Sequence, residues 1–161
     1  MIADWKKLTT VVIPAYNEES SIGFVIERLK KHYGNEIELL VVNDSSSDNT
    51  EAIADRLGAK VVSHTFNRGN GASVKTGIIS AQTPYIIVLD ADGQHPIEAI
   101  EPMVQMLEKY DMVIGARQKG SQASFGRAIA NGIYNTLAST LSGFRIEDLT
   151  SGMRAFKREI M

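Results

Sequence analysis

The sequence lacks cysteine and contains only one tryptophan and four prolines among its 161 residues. Without cysteine, the chain can form neither disulfide bonds nor thiolate metal sites, and we expect a reducing compartment. No apolar run approaches the ~20 residues that a membrane-spanning helix needs. Residues 1–7 also lack the charged-then-apolar order of a signal peptide. We therefore expect a cytoplasmic chain that neither spans a membrane nor is exported.

Strong net charge is also absent, but the charges are unevenly distributed. The net charge is −2, and 43% of the residues are hydrophobic, which suits one globular domain with a sizeable core. Residues 1–116 carry 10 Lys and Arg against 16 Asp and Glu, whereas residues 117–161 carry 7 against 3. The basic part predicts an anionic ligand or an anionic lipid surface. A solvated basic face is the alternative interpretation.

Strand-like and helix-like segments alternate along the chain. Short β-branched and aliphatic runs predict strands at Thr9–Ile13, Leu39–Val42, Lys60–Ser63, Tyr85–Leu89 and Met112–Ile114. Helical spacing predicts helices from Ile22 behind a Ser20 or Ser21 cap, from Asp48-Asn49-Thr50 to Gly58, over 71–81, from Pro96 to Leu107, and over 127–141. This order predicts an α/β fold with a mostly parallel central sheet and helices on both faces.

The run Tyr85–Leu89 leads directly into Asp90-Ala91-Asp92. An unbroken apolar run predicts a strand buried on both faces, so the two carboxylates arrive where it emerges at the sheet edge. Residues two apart in extended chain point to the same side, roughly 6 to 7 Å apart. Asp90 and Asp92 can therefore share one hard divalent cation. The alternative is a polar turn that caps the next helix.

Polar clusters follow four of the five predicted strands. They occupy Pro14–Glu19, Asn43–Thr50, Asp90–Pro96 and Gly115–Arg117. Ligands of parallel α/β sheets bind beyond the carboxyl ends of the strands. The four clusters therefore predict one shared site on a single rim of the sheet.

These motifs resemble those of family 2 glycosyltransferases of the GT-A fold, whose core is a Rossmann-like sandwich. The resemblance covers nearly the whole chain and is carried by Val11–Glu18, Val42–Thr50, Asn67–Gly71 and Asp90–Pro96. Gly115–Arg117 and Asp148–Phe156 resemble the branch of dolichol-phosphate mannosyltransferases and bacterial polyprenyl-phosphate sugar transferases. Full-length relatives continue well past the second of these motifs. The resemblance thus implies one catalytic domain over residues 1–161 that lacks the C-terminal elements of those relatives.

The resemblance also implies a donor site for a nucleotide-diphosphate sugar of the GDP-mannose or UDP-glucose type. The implied donor-binding residues are Pro14, Ala15, Tyr16, Glu18, Asp44 and Ala91. Mg²⁺ or Mn²⁺ would be held by Asp90, Asp92 and Gln94, and would neutralise the leaving diphosphate. Asn43 and Ser45 depart from the pattern, since many members have Asp and Gly there.

For the acceptor, the resemblance implies a polyprenyl or dolichyl phosphate at a membrane surface. A lipid phosphate is already anionic and needs cations rather than a base. Guanidinium groups suit phosphate oxygens, and the basic segment supplies Arg117, Arg127, Arg145 and Arg154, with Asn131 on the polar stripe of the 127–141 helix. Arg117 and Asp148 join Asp90 and Asp92 as implied catalytic residues, with Asp148 orienting an arginine. No nucleic-acid partner is implied, and an oligomer is possible.

Two other functions remain open at this point. The acceptor could be a sugar hydroxyl, in which case Asp148 would be a general base. The chain could also be a nucleotide-sugar-binding module without independent turnover. Residues 69–76 come close to a P-loop, but Val74 replaces the glycine before Lys75-Thr76, and the same mismatch argues against a dinucleotide fingerprint.

Overall fold

A computed structural model describes residues 1–115 and 152–160. The strands are β1 (Thr9–Ala15), β2 (Glu38–Asn43), β3 (Lys60–Ser63), β4 (Tyr85–Val88), β5 (Met112–Ile114) and β6 (Arg154–Lys157). The helices are α1 (Ile22–Tyr33), α2 (Thr50–Arg56), α3 (Asn70–Ser80) and α4 (Ile100–Met106), with 3-10 turns at Ile97–Ala99 and Arg158–Ile160. The five strands predicted from the sequence are all present. The helix predicted over 127–141 lies outside the described residues.

Within the described residues, the strands form one six-stranded sheet in the order β3-β2-β1-β4-β6-β5. Strands β1 to β4 pair in parallel, whereas β6 runs antiparallel to both β4 and β5. The prediction of a mostly parallel sheet is therefore confirmed. Strand β6 is not predicted by the sequence, because it has four residues and only Ala155 and Phe156 are buried.

Alternating residues of the central strands enter two separate hydrophobic cores. Val11 and Ile13 of β1 pack toward α1, α2 and α4, whereas Val12 packs toward α3 on the other face. This period of two matches the pleat of a strand. Helices therefore cover both faces, as the sequence predicts. In the part of the chain that the structure describes, no helix is long and apolar enough to cross a membrane.

Two predicted helix starts differ in detail from the structure. Ser21 occupies the N-cap position of α1, but its hydroxyl makes no capping bond and instead donates to Oε2 of Glu18 at 2.6 Å. Pro96 precedes the 3-10 turn, and the α-helix begins only at Ile100. The proline ring fixes the φ angle of Pro96 itself, so the residues after it can adopt the tighter 3-10 turn before the α-helix begins.

Candidate functional site

A cavity of about 540 Å³ opens at the carboxyl ends of the parallel strands. It is lined by all six predicted donor-binding residues, by the carboxylates of Asp90 and Asp92, and by four further residues that the sequence analysis did not assign. The lining residues are Pro14, Ala15, Tyr16, Glu18, Asp44, Asn67, Gly69, Asn70, Ser73, Asp90, Ala91 and Asp92. Three of the four polar clusters that the sequence predicts at this rim, those after β1, β2 and β4, therefore meet in one concave site. Of the fourth cluster, Gly115 does not line the cavity, and residues 116 and 117 lie outside the described residues.

The loops after β1 and β2 are bound to each other at this rim. The Asn17 backbone N–H donates to Oγ of Ser46 at 3.0 Å, and Oδ1 of Asn17 accepts the Ser47 N–H at 2.8 Å. Asn43 supplies a further bond, because its Oδ1 accepts the Ser46 N–H at 3.0 Å. Ser45 has a φ of 62°, in the left-handed region that glycine adopts most easily. Asn43 and Ser45 thus shape the loop.

Tyr16 and Glu18 present their side chains at this edge in different ways. Tyr16 is 50% exposed although it lines the cavity, so its ring is available to a ligand. Glu18 is more constrained, since its N–H donates to Oγ1 of Thr50 at 2.8 Å and its Oε2 accepts the Ser21 hydroxyl. A rigid loop with one exposed aromatic ring can stack a planar group.

Asp44 is the most deeply buried carboxylate of the cavity, with 2% exposure. Its Oδ1 contacts Nδ1 of His64 at 2.6 Å and accepts the Arg68 N–H at 2.9 Å, and its Oδ2 accepts the Gly69 N–H at 2.7 Å. Burial acts to raise the pKa of Asp44, but these hydrogen bonds outweigh it and hold the pKa below its usual value. An ionised carboxylate has about four acceptor positions. Among the described residues, three of these positions have a partner, and one on Oδ2 has none.

His64 and His95 are two site residues that the sequence analysis missed. Each of these histidines contacts one of the cavity aspartates: His64 contacts Asp44, and Nε2 of His95 lies 3.1 Å from Oδ2 of Asp90. The imidazoles are largely buried, at 5% and 9% side-chain exposure. For His64 the sequence offers only its position directly after β3, whereas His95 belongs to the Asp90–Pro96 motif that carries the family resemblance.

The backbone of Gly152 also lies against the Asp90 carboxylate. A Cβ added at Gly152 would lie 1.7 Å from Oδ2 of Asp90 and 2.3 Å from its Cγ. Only glycine lets the backbone approach this closely. Gly152, which lies two residues before β6, therefore packs directly on one of the two rim carboxylates.

Asp90 and Asp92 are suited to a divalent cation that also binds a phosphate-bearing ligand. Both carboxylates line the same cavity. Among residues 1–115 and 152–160 no group of three or more His, Asp or Glu side chains could hold a metal by itself. Mg²⁺ typically binds to one or two carboxylates and to substrate phosphates, so two carboxylates suffice. Gln94 is exposed, and its backbone N–H donates to Oδ1 of Asp92 at 2.9 Å.

Arg154 is the predicted acceptor residue that the structure places at this rim. It begins β6 and pairs in register with Val88 of β4 and Ile114 of β5. Because β6 is antiparallel, its first residue lies beside the carboxyl ends of its neighbours. The other predicted acceptor or catalytic residues lie outside the described residues: Arg117, Arg127, Asn131, Arg145 and Asp148.

Solved structures of similar fold include two sugar-phosphoglycerate synthases. Glucosyl-3-phosphoglycerate synthase from Mycobacterium tuberculosis, in complex with Mn²⁺, UDP-glucose and phosphoglyceric acid, has a TM-score of 0.77 at 24% identity. The match covers 94% of this chain and 57% of that one. Mannosyl-3-phosphoglycerate synthase from Rubrobacter xylanophilus has a TM-score of 0.75 at 19% identity, over 94% of this chain and 53% of that one. Both likenesses identify the GT-A fold.

Curated relatives are more similar in sequence. A dolichyl-phosphate hexose transferase of Haloferax volcanii is 33% identical over 155 residues, which are 94% of this chain and 67% of that protein. An undecaprenyl-phosphate 4-deoxy-4-formamido-L-arabinose transferase of Photorhabdus laumondii is 32% identical over 96% of this chain and 50% of that protein. The chain thus spans about half to two thirds of the length of these relatives. Their names support the polyprenyl-phosphate branch that the motifs resemble.

The family profile described as glycosyl transferase family 2 matches residues 10–161. That match includes the whole rim, from the end of β1 to β6. Together with the relatives and the fold, it shows that this chain belongs to glycosyl transferase family 2.

Proposed function

We propose that this protein is a metal-dependent, inverting hexosyltransferase that moves a sugar from a nucleoside-diphosphate donor to a polyprenyl phosphate. The observation that carries the proposal is the layout of the cavity. Asp44 stands at the end of β2 and Asp90 beyond the end of β4, with β1 between these strands. Two strand spacings amount to about 10 Å. That span suits a ligand with a heterocycle at one end and a diphosphate at the other.

The base end of the donor would bind at β1 and β2. In the part of the chain that the structure describes, Oδ2 of Asp44 retains one acceptor position, and an ionised carboxylate can only accept hydrogen bonds. A uracil or guanine ring offers an N–H to such a group, which favours UDP- or GDP-linked sugars. Tyr16 supplies an exposed ring beside it, and Pro14, Ala15, Glu18 and Ala91 form the remaining walls.

The diphosphate end would bind at Asp90 and Asp92. A Mg²⁺ or Mn²⁺ ion bound there would act as a Lewis acid that stabilises charge on the leaving diphosphate by several kcal/mol. The chain's own part is to hold the carboxylates in place, with His95 and Gly152 against Asp90 and the Gln94 N–H on Asp92. The Gln94 amide stays a predicted third ligand.

The acceptor proposal is supported by charge and by the relatives. A phosphate oxygen would attack the anomeric carbon, the bond from that carbon to the diphosphate would break, and the nucleoside diphosphate would leave. No general base is required. Arg154 lies at the rim, and Arg117, Arg127, Asn131 and Arg145 belong to the basic part of the sequence. Asp148 would orient an arginine. A prenyl-phosphate acceptor would place the protein at the cytoplasmic face of a membrane.

Calorimetric titration tests the donor site. We expect UDP or GDP to bind more tightly with Mn²⁺ than without, and Asp92→Asn to remove the Mn²⁺-dependent part while leaving the melting temperature unchanged. Asp55→Asn is the matched control, because Asp55 is an exposed residue of α2 away from the cavity. Unchanged Mn²⁺-dependent affinity in Asp92→Asn would contradict the metal site.

A transfer assay tests the acceptor. The protein is given UDP-glucose or GDP-mannose together with a short-chain prenyl phosphate or a free sugar. We expect product only with the prenyl phosphate. Transfer to the sugar hydroxyl alone would refute this acceptor and return Asp148 to a general-base role. Donor binding without any transfer would instead favour a nucleotide-sugar-binding module.

A further inference from the structure

The buried contact between His64 and Asp44 has no role in the proposed chemistry. The imidazole of His64 lies between two polar partners, with Nδ1 at 2.6 Å from Oδ1 of Asp44 and Nε2 at 2.8 Å from Oγ1 of Thr76. Asp44 follows β2, His64 follows β3, and Thr76 belongs to α3. The contact therefore links three elements that surround the cavity.

The proton positions follow from the partners. Asp44 also accepts two backbone N–H groups, so it behaves as an ionised, acceptor-only carboxylate. Nδ1 of His64 must then carry the proton in that contact. The hydroxyl of Thr76 can satisfy Nε2 in turn, because a hydroxyl can either donate or accept. Which nitrogen carries the proton is set by such neighbouring bonds.

Asp44 in turn holds a loop of the cavity wall. The two N–H groups that it accepts belong to Arg68 and Gly69, and Asn67, Gly69 and Asn70 line the cavity. Gly69 has a φ of 86°, which few other residues tolerate. The loop conformation therefore depends on a fixed carboxylate, and the carboxylate orientation depends on its side-chain partner.

We propose that His64 is a positioning residue that orients Asp44 and, through Asp44, the 67–70 loop for nucleotide binding. The proposal rests on the proposed nucleotide site. By donating from Nδ1, His64 occupies Oδ1. The acceptor position that residues 1–115 and 152–160 leave unused then lies on Oδ2, where a ligand N–H can bind. His64 does not touch the ligand in this arrangement, because it is not among the residues that line the cavity.

The structural part can be tested without a ligand, by NMR on the intact protein. Long-range ¹⁵N spectra of His64 should show a protonated Nδ1. The amide protons of Arg68 and Gly69 should exchange slowly in the wild type and at least about tenfold faster in His64→Ala. A ring protonated only at Nε2, or unchanged exchange in His64→Ala, would overturn the proposal whatever the protein binds.

The functional part uses calorimetry with UDP, GDP and Mn²⁺ on three variants. His64→Ala should weaken binding by about ten- to a hundredfold, the range for one lost hydrogen bond to a charged group. His64→Asn keeps a donor near the position of Nδ1 and should recover most of the affinity. His32→Ala is the control, because His32 is an exposed residue in the last turn of α1.

The recovery of affinity in His64→Asn distinguishes a positioning role of His64 from a contribution to stability alone. If His64 only stabilises the fold, the nucleotide affinity should fall only in proportion to the unfolded fraction that thermal denaturation measures. His64→Asn should then bind the nucleotide no more tightly than His64→Ala. That pattern would overturn the proposal. Absence of nucleotide binding in the wild type would refute the proposed function instead, while the ¹⁵N and exchange measurements would still decide the geometry.

Discussion

Replacing Gly152 with alanine should damage the rim carboxylates while leaving the protein folded. The added Cβ would lie 1.7 Å from Oδ2 of Asp90 and 2.6 Å from its Oδ1. Carbon and oxygen atoms in contact are normally about 3.3 to 3.6 Å apart. The carboxylate must therefore move by about 1.5 to 2 Å, and the 3.1 Å contact with His95 must lengthen or break.

The expected effects on stability and on the site differ in size. Asp90 is part-exposed, so its side chain can turn away at an off-rotamer cost of about 0.5 to 1.5 kcal/mol. Disturbing the contacts that orient a metal ligand typically costs by contrast about ten- to a hundredfold in metal affinity or activity. We therefore expect a small loss of stability together with at least a tenfold loss of Mn²⁺-dependent nucleotide affinity.

The assay pairs thermal denaturation with calorimetry of UDP or GDP in the presence and absence of Mn²⁺. Gly23→Ala is the matched control, because a Cβ there would meet Ile53 at 3.4 Å, an ordinary contact. Gly23→Ala should keep full affinity. If folded Gly152→Ala bound the nucleotide with unchanged Mn²⁺ dependence, the close approach to Asp90 would have no functional meaning.

Three further predictions concern stability. Gly77→Ala should lower the free energy of unfolding, measured in urea, by about 1 to 3 kcal/mol. The added Cβ would lie 2.2 Å from Cγ1 of Val12, between α3 and the sheet. An unchanged urea midpoint would contradict that packing. The pKa of the Asp44 carboxyl is lower in the folded than in the unfolded protein. Its contribution to the free energy of unfolding should therefore be present above the unfolded pKa of about 4 and be lost as the pH falls through the folded pKa. Urea denaturation at a series of acidic pH values should show this loss of stability, and Asp44→Asn should make the stability less dependent on pH. Asp48→Ala should cost about 1 kcal/mol, because Oδ1 of Asp48 accepts the first N–H of α2 from Thr50. It should affect nucleotide affinity less than Asp44→Ala, and the reverse order would show that the β2 loop is wrongly interpreted.

Sequence patterns alone predict five of the six strands that the structure describes, the helices on both faces of the sheet and the rim that carries the cavity. These features follow from local patterns. An apolar run such as Tyr85–Leu89 has few alternatives to a buried strand, and parallel strands bring their carboxyl ends to one edge. The acid pair after β4 and the motif after β1 therefore predict one shared site. The family resemblance, confirmed by the match over residues 10–161, rested on the same segments.

The tertiary structure decided which partners each functional side chain meets. Strand β6 inserts antiparallel between β4 and β5, and this brings Gly152 onto Asp90, 62 positions away in the chain. His64 meets Asp44 across 20 positions. Such contacts depend on how separate elements pack, and no periodicity or spacing in the sequence encodes the distance between two loops. The sequence therefore determined where the site lies, and only the packing determined how its carboxylates are held.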